Sequence, residues 1–300
     1  MKSSKKLVKI ARKKIEDKPL QKSISGVPSG FRKLDRFTDG WQPGQLIVIG
    51  GRPGMGLSAF TKSMILNAAI KFNQAVAVFS LEKSAIQYMN MMIVSETKTS
   101  YTKLTSGSLE PCELYGLKKK LKNLSNAPIF IDDKPSLSLT DLKQKILKLK
   151  SKNDIKLIVI DYLQLMTFKK SSRFSLTQEI NIISRNLKKL AKELDLSIIV
   201  LSSLPKRVEK RKKNKRPKLS DLRKSTSIER YADIVGFIYR PEYYGIDKWD
   251  EEGESTEGQT EFILAKNRNG WLGNFRFNFL NGRFSEMNPF EEFMEKVNKK

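Results

Sequence analysis

The stretch that most limits what this chain can fold into runs from residue 45 to 62: Gln45-Leu-Ile-Val-Ile-Gly-Gly-Arg-Pro-Gly-Met-Gly-Leu-Ser-Ala-Phe-Thr-Lys62. An apolar run ends in a glycine-rich turn and passes at once into a helical pattern. That is the layout of a phosphate-binding loop, G-x-x-x-x-G-K-[ST], in which glycines let backbone N–H groups close around phosphates. The helix N-terminus then faces the anion, and the hydroxyl holds Mg²⁺. Gly51 and Gly56 are the two fixed glycines, Arg52, Pro53, Gly54 and Met55 lie between them, and Ser58 supplies the hydroxyl. Where the motif has its lysine, this chain has Leu57. ATP with Mg²⁺ is the implied ligand of residues 51–58, without the usual charge.

The residues before the loop include Leu7, Val8, Ile10, Ala11 and Ile15 at near-helical spacing among Lys and Arg, an amphipathic helix that needs a cover. Periodicity leaves open whether its own domain or a neighbouring subunit provides it. A turn cluster, Ser25-Gly-Val-Pro-Ser-Gly30, follows as a hinge, then a short helix over 31–37. After the loop, 57–70 reads as a helix packed on a sheet, and Ala75 to Leu81 as a strand ending on Glu82. Met89, Met91, Met92 and Ile93 fill core from a helix. A strand at 128–131 leads to a helix capped at Thr140-Asp141. The β-branched run Ile155 to Ile160 ends on Asp161, a helix spans 180–194, and strands follow at 197–202 and 234–239. Between these last two, Lys206 to Lys218 reads as too charged to pack, and 247–257 as an acidic surface excursion. Glu261 to Ala265 and Asn274 to Phe279 alternate as a hairpin around Lys266-Asn-Arg-Asn-Gly270, and the residues after Asn288 form a charged tail.

This alternation predicts an α/β fold with a mostly parallel, doubly wound sheet, helices on its faces, a terminal β-hairpin, and ligands at the carboxyl ends of the strands. One main domain over 25–288 is expected, preceded by the helix and hinge at 1–24 and followed by the tail at 289–300. The chain has no histidine, which excludes histidine general bases, Ser-His-Asp triads and histidine-ligated zinc. A single cysteine, Cys112, excludes an internal disulfide and fits a reducing compartment, hence cytoplasm. No run of about 18 apolar residues exists, so a soluble, unsecreted protein with no membrane partner is expected. The formal charge of +25 favours a polyanionic partner, with nucleic acid preferred because no long anchor for a lipid surface accompanies it.

Nucleotide hydrolysis at such a loop also uses a strand-end Asp that orders Mg²⁺ and a carboxylate that positions the attacking water. Asp161, after Leu157-Ile-Val-Ile160, fits the first role beside Ser58, and Glu82, after Ala77-Val-Phe-Ser-Leu81, fits the second. Lys206, Arg207 and Arg211, at a strand's carboxyl end, suit either a solvated loop or contact with a phosphate backbone. Lys266 and Arg268, taken alone, read as a solvated hairpin tip.

Several blocks in order resemble the carboxyl-terminal domain of DnaB-type replicative helicases. They are Ser25 to Asp35, Gly51 to Gly56, Phe79-Ser-Leu-Glu82, Ile158 to Met166, Ser220 to Arg223 with Ser227-Ile-Glu229 and Ala232-Asp233, and Lys266 to Gly270. The resemblance implies a RecA-like P-loop NTPase fold, a hexameric ring with nucleotide between subunits, and single-stranded DNA through the pore. It implies that Glu82 activates water, that Asp161 holds Mg²⁺, and that Arg268 is an arginine finger, with Lys266 beside it, acting on a neighbour's nucleotide. Arg223, Lys224 and Thr226 would lie on the DNA-tracking pore loop, and the amino-terminal helix would dock on the next subunit. With about twenty residues ahead of the motor, the family's amino-terminal helical domain is expected to be missing. Leu57 replaces the loop lysine, Ser203 a glutamine that senses the γ-phosphate, Thr226 a pore-loop glycine and Lys224 an acidic residue. The expected protein binds nucleotide and single-stranded DNA in a ring, as a homohexamer or with another DnaB-type helicase, and hydrolyses ATP slowly or not at all at its own site. The alternatives are an active helicase with a compensating cation, Arg52 or Lys83 being the candidates, and a non-catalytic partner or inhibitor of a helicase ring.

Overall fold

A computed structural model describes residues 3–6, 8, 9, 12, 24–97, 99–167, 175–211, 214–249 and 253–287, the side chains of 112 and 223–227 excepted. The runs rich in β-branched residues become strands, of which β1 (Leu46–Gly51), β2 (Ala75–Ser80), β5 (Ile155–Asp161), β7 (Ser197–Ser203) and β8 (Ile234–Tyr239) are buried almost throughout, whereas β3 (Ile129–Asp132) is a half-buried edge strand and the short β4 (Leu137–Ser138) and β6 (Met166–Thr167) pair with each other. They are followed by β9 (Gln259–Asn267), β10 (Gly273–Leu280) and β11 (Arg283–Glu286). One nine-stranded sheet has the order β11-β10-β9-β8-β1-β7-β5-β2-β3. The six strands from β8 to β3 pair in parallel, and β9, β10 and β11 extend the sheet antiparallel. The expected doubly wound α/β arrangement is present, and the terminal hairpin is in fact a three-strand meander. Its third strand is four residues long, too short for alternation alone to reveal.

Side chains of β1 alternate between the two faces, as strand geometry requires. Ile47 and Ile49 pack with the helix Leu57–Leu66, while Leu46 and Val48 pack with the helix Leu176–Leu194. Phe60, on the first of these helices, stacks on Phe31 at 5.2 Å and Phe262 at 5.0 Å and meets Phe284 edge-on at 5.3 Å. Each such pair adds about 0.5–1.5 kcal/mol beyond burial, so the loop's helix is clamped to the terminal meander. The methionine-bearing helix is Ala85–Thr97, with Met92 buried as core.

Three local expectations change. The helix Leu139–Lys150 is capped by Ser138, whose hydroxyl accepts from the Asp141 N–H at 3.1 Å, rather than by Thr140-Asp141. Residues 206–218 are anchored at several points: Val208 is fully buried, Arg211 pairs with buried Asp221, Arg216 pairs with buried Glu261, and Lys215 lies over the Tyr244 ring, while Lys206, Arg207, Lys210 and Lys218 stay exposed. Partners outside the stretch thus hold part of it. The acidic segment is tied down too, through a bridge between Lys248 and Ser255 and an Arg276–Glu254 pair. Of 1–24, only residues 3–6, 8, 9, 12 and 24 are described, with Val8 64% exposed, and the helix and its docking lie largely outside the described residues. The tail at 289–300 lies wholly outside them. Among the described residues, no helix is long and apolar enough to cross a membrane.

Candidate nucleotide site and finger face

Parallel neighbours bring the predicted residues together. Because β1, β7, β5 and β2 lie side by side and point the same way, their carboxyl ends place the glycine turn, Ser203, Asp161 and Glu82 along one rim. A cleft of about 460 Å³ opens there, lined by Arg52, Gly54, Gly56, Leu57, Ser58, Glu82, Asp161 and Ser203 among others. Gly54 and Gly56 adopt φ of 83° and 88°, the left-handed region where side chains are strained. A Cβ on Gly54 would also sit 2.5 Å from the Tyr243 ring. Gly56 is the N-cap of the helix Leu57–Leu66 and provides no side-chain cap, so the first-turn N–H groups are left for a ligand. Pro53 is exposed on the turn, whereas Met55 turns inward and is 1% exposed, so its contribution to the cradle is its backbone.

Ser58 Oγ and Asp161 Oδ2 face each other at 3.5 Å. Burial pushes the Asp161 carboxyl above its ordinary value, the neighbouring Lys83 and Lys62 oppose this, and Glu82 adds to it. A desolvated carboxylate beside a hydroxyl, with no third carboxylate in a cluster among the described residues, fits Mg²⁺, which keeps most of its ligands as water and phosphate oxygens. Glu82 stands beyond β2, half exposed, with Lys83 Nζ at 3.0 Å.

The lysine position is occupied by Leu57, which packs against the core. Neither sequence candidate for a replacement is free. Arg52 pairs through Nε with Glu209 at 2.9 Å and donates from Nη1 to the Leu204 carbonyl at 2.7 Å, and Lys83 is paired with Glu82. A third cation, Lys62, lies buried within electrostatic reach of Asp161 and Lys83. Sequence reading passed over it because its helix looked like an apolar packing helix. The signal available was a lone lysine four residues after Ser58. Ser203 lies on the rim as expected, and Gln164 fills in around it: Nε2 donates to Ser202 Oγ at 3.1 Å and to the Ser203 carbonyl at 3.2 Å.

Lys266 and Arg268 lie at the other end of the sheet. Lys266 is in β9 itself, not in the tip, and its register partner is Val235 near the start of β8. Its ammonium donates to the carbonyls of Glu229 at 2.6 Å and Ala232 at 2.8 Å, and burial lowers its pKa. Arg268 begins the tip, its Nε 3.5 Å from Asp233 Oδ1 and its side chain 49% exposed. Asp233 in turn accepts the Leu46 N–H at 2.9 Å, at the first residue of β1. Arg268 is therefore separated from its own glycine turn by the length of β1, about 17 Å at roughly 3.3 Å per residue. It cannot serve the cleft of its own chain.

Of the basic residues expected at DNA, Lys206 and Arg207 are exposed, Arg207 donating to the Ser220 carbonyl at 2.9 Å. Arg211 is committed to Asp221 and the Arg216 carbonyl. Asp221 also accepts the Lys218 N–H and starts a 3₁₀ turn, Leu219–Ser225, that runs into the helix Thr226–Tyr231. The backbone of Arg223, Lys224 and Thr226 is thus placed, and their side chains lie outside those described.

Residues 26–288 match the family described as DnaB-like helicase C-terminal domain. The chain is 42% identical over 257 residues to the replicative DNA helicase DnaB of Geobacillus stearothermophilus, covering 86% of this chain and 55% of that protein. It is 40% identical to the replicative DNA helicase DnaC of Bacillus subtilis, with the same coverage. The chain thus spans about half the length of these relatives. Among solved structures, the ATPase domain of G40P superposes with a TM-score of 0.88 at 34% identity, covering 96% of this chain and all of that one. A DnaB-like replicative helicase, described with its interactions with primase, superposes at 0.87 and 33% identity, covering 96% and 69%. With its mostly parallel sheet and the glycine turn at the sheet's carboxyl rim, the chain has a RecA-like α/β fold and belongs to the DnaB-like helicase C-terminal domain family.

Proposed function

We propose that this chain is a ring subunit of DnaB type that binds nucleotide and single-stranded DNA and serves a neighbour's nucleotide better than it hydrolyses its own. The observation that carries this reading is the separation of the two functional sets. The cleft has its backbone cradle, Ser58, Asp161 and Glu82, but Leu57 at the position of the transition-state cation. Arg268, assigned as the finger, lies some 17 Å away by strand length, half exposed and held against Asp233 and the Arg230 carbonyl. Bound Mg²⁺ would supply charge neutralisation at the phosphates. Ser58 and Asp161 would hold it, Glu82 would orient the water, and the first-turn N–H groups would hold the phosphates. A homohexamer, or a ring shared with another DnaB-type helicase, supplies the neighbour that Arg268 requires. Lys206 and Arg207 present charge to the DNA backbone, together with the segment 223–226.

Steady-state ATP turnover, with and without single-stranded DNA, tests this. Leu57→Lys is expected to raise turnover by roughly 10²–10³, the scale of one preorganised electrostatic group. Wild-type turnover of about one per second or more, abolished by Glu82→Gln, would overturn the slow-site reading in favour of an active helicase.

A further inference from the structure

We propose that Lys62 binds the ground-state phosphates of this cleft, reaching back one helical turn, while the transition-state position held by Leu57 stays without charge. The proposal rests on the reading of the cleft as a nucleotide site. Lys62 follows Ser58 by four residues, so both lie on one face of the helix Leu57–Leu66. Long helical side chains lean toward the N-terminus and cover the preceding turn, and a four-carbon stem spans the ~5.4 Å of that turn. The ammonium is thereby carried toward the level of Ser58 and Asp161, consistent with its electrostatic coupling to Asp161 and Lys83.

The side chain is 7% exposed, and no hydrogen bond or ion pair engages it among the described residues. An ammonium carries three donors and no acceptor, and no carboxylate or carbonyl among the described residues takes one of them although its stem is buried. A core position would normally exclude such a group, and here a second cation, Lys83, stands close by and makes it costlier still. Asp161 compensates in part, but that carboxylate is shared with Ser58 and Lys83. The anion that satisfies all of these groups together is a polyphosphate with Mg²⁺, its oxygens accepting from Lys62 and its metal taken by Ser58 and Asp161. Arg52 and Lys83 do not compete for this role, since each already has a carboxylate within 3.0 Å.

Calorimetric titration of the full chain with MgATP tests this on wild type, Lys62→Met, Lys62→Gln, and Lys62→Met combined with Leu57→Lys. Loss of a charge-assisted contact is expected to weaken binding by roughly 10- to 100-fold in both single variants, and the added lysine at 57 is expected to restore it. Thermal melts establish that each variant is folded, and Lys62→Gln stands in should Lys62→Met fail to fold. If wild type binds and both single variants bind equally well, the assignment of Lys62 falls while the nucleotide reading stands. If binding is lost and Leu57→Lys does not restore it, the loss is not one of charge at the phosphates and the assignment falls. A wild type that binds no MgATP overturns the nucleotide reading and this assignment with it.

Discussion

At the carboxyl ends of the parallel strands, Leu57 packs on the core, Ser203 stands on the rim, and Lys62 is buried with no hydrogen-bond or ion-pair partner among the described residues. At the amino ends, Lys266 and Arg268 each have a defined seat. Lys266 closes the carbonyls of Glu229 and Ala232, and Arg268, Lys188 and the Leu46 N–H converge on Asp233. The contrast teaches that the turn and the side chain that follows it are separable. The turn depends on φ angles at Gly54 and Gly56 and leads into a helix with no side-chain cap, while Leu57 can change without disturbing either.

The strongest way to break this comparison is to remove Arg268. On the proposed reading, Arg268→Ala in the Leu57→Lys background is expected to lower ATP turnover by about 10³ or more while leaving MgATP affinity within twofold, because the arginine would act on the transition state in the next subunit. A matching loss of affinity in dilute monomer would place Arg268 at its own cleft and collapse the distinction between the two ends.

A smaller effect sharpens what the cleft end costs. Burial, with Lys83 adding to it and Asp161 opposing, lowers the Lys62 pKa from the ordinary 10.5 to about 8. Between those values the unfolded chain holds the proton that the folded chain has released, so stability rises with pH across that window. At about 1.4 kcal/mol per unit, the rise is worth roughly 3 kcal/mol. Urea unfolding of wild type and Lys62→Met from pH 8 to 10.5 should show the rise in the first and not in the second. Parallel curves would mean that the ammonium is hydrated.

The smallest effect concerns the basic segment on the cleft side. If Lys206 and Arg207 each meet one phosphate as proposed, replacing both with alanine should lessen the loss of single-stranded DNA affinity between 50 and 200 mM salt by about sevenfold. Fluorescence anisotropy with a single-stranded oligonucleotide reads this directly. An unchanged slope would assign DNA contact to the 223–226 segment alone.

Much of the architecture was legible because it depends on local rules. The β-branched runs, the glycine turn and the carboxylates that follow apolar strands report their places in the fold within a few residues. Glu82, Asp161 and Ser203 could be placed on one rim because parallel strands must share a carboxyl end. The missed features depend on partners far along the chain. Nothing near Arg211 or Arg216 announces Asp221 or Glu261 as a buried partner, so 206–218 read as unpackable. Lys62 was invisible for a related reason. A lysine in a packing helix gains meaning only once its turn is known to face a carboxylate contributed by β5.

Asp233 has a mechanical consequence. Its side chain holds the N–H of Leu46, its own N–H is held by the Leu46 carbonyl, and its carbonyl takes the N–H of Arg268. One strand away, Lys266 grips the end of the helix that continues from the 3₁₀ segment at 219–225. Tension applied to the Arg268 guanidinium from outside the subunit therefore has two stiff paths inward, along β1 to the glycine turn and across β9 to the base of the 219–231 segment. A single buried carboxylate thus joins the Arg268 side chain to the start of the strand that ends in the glycine turn.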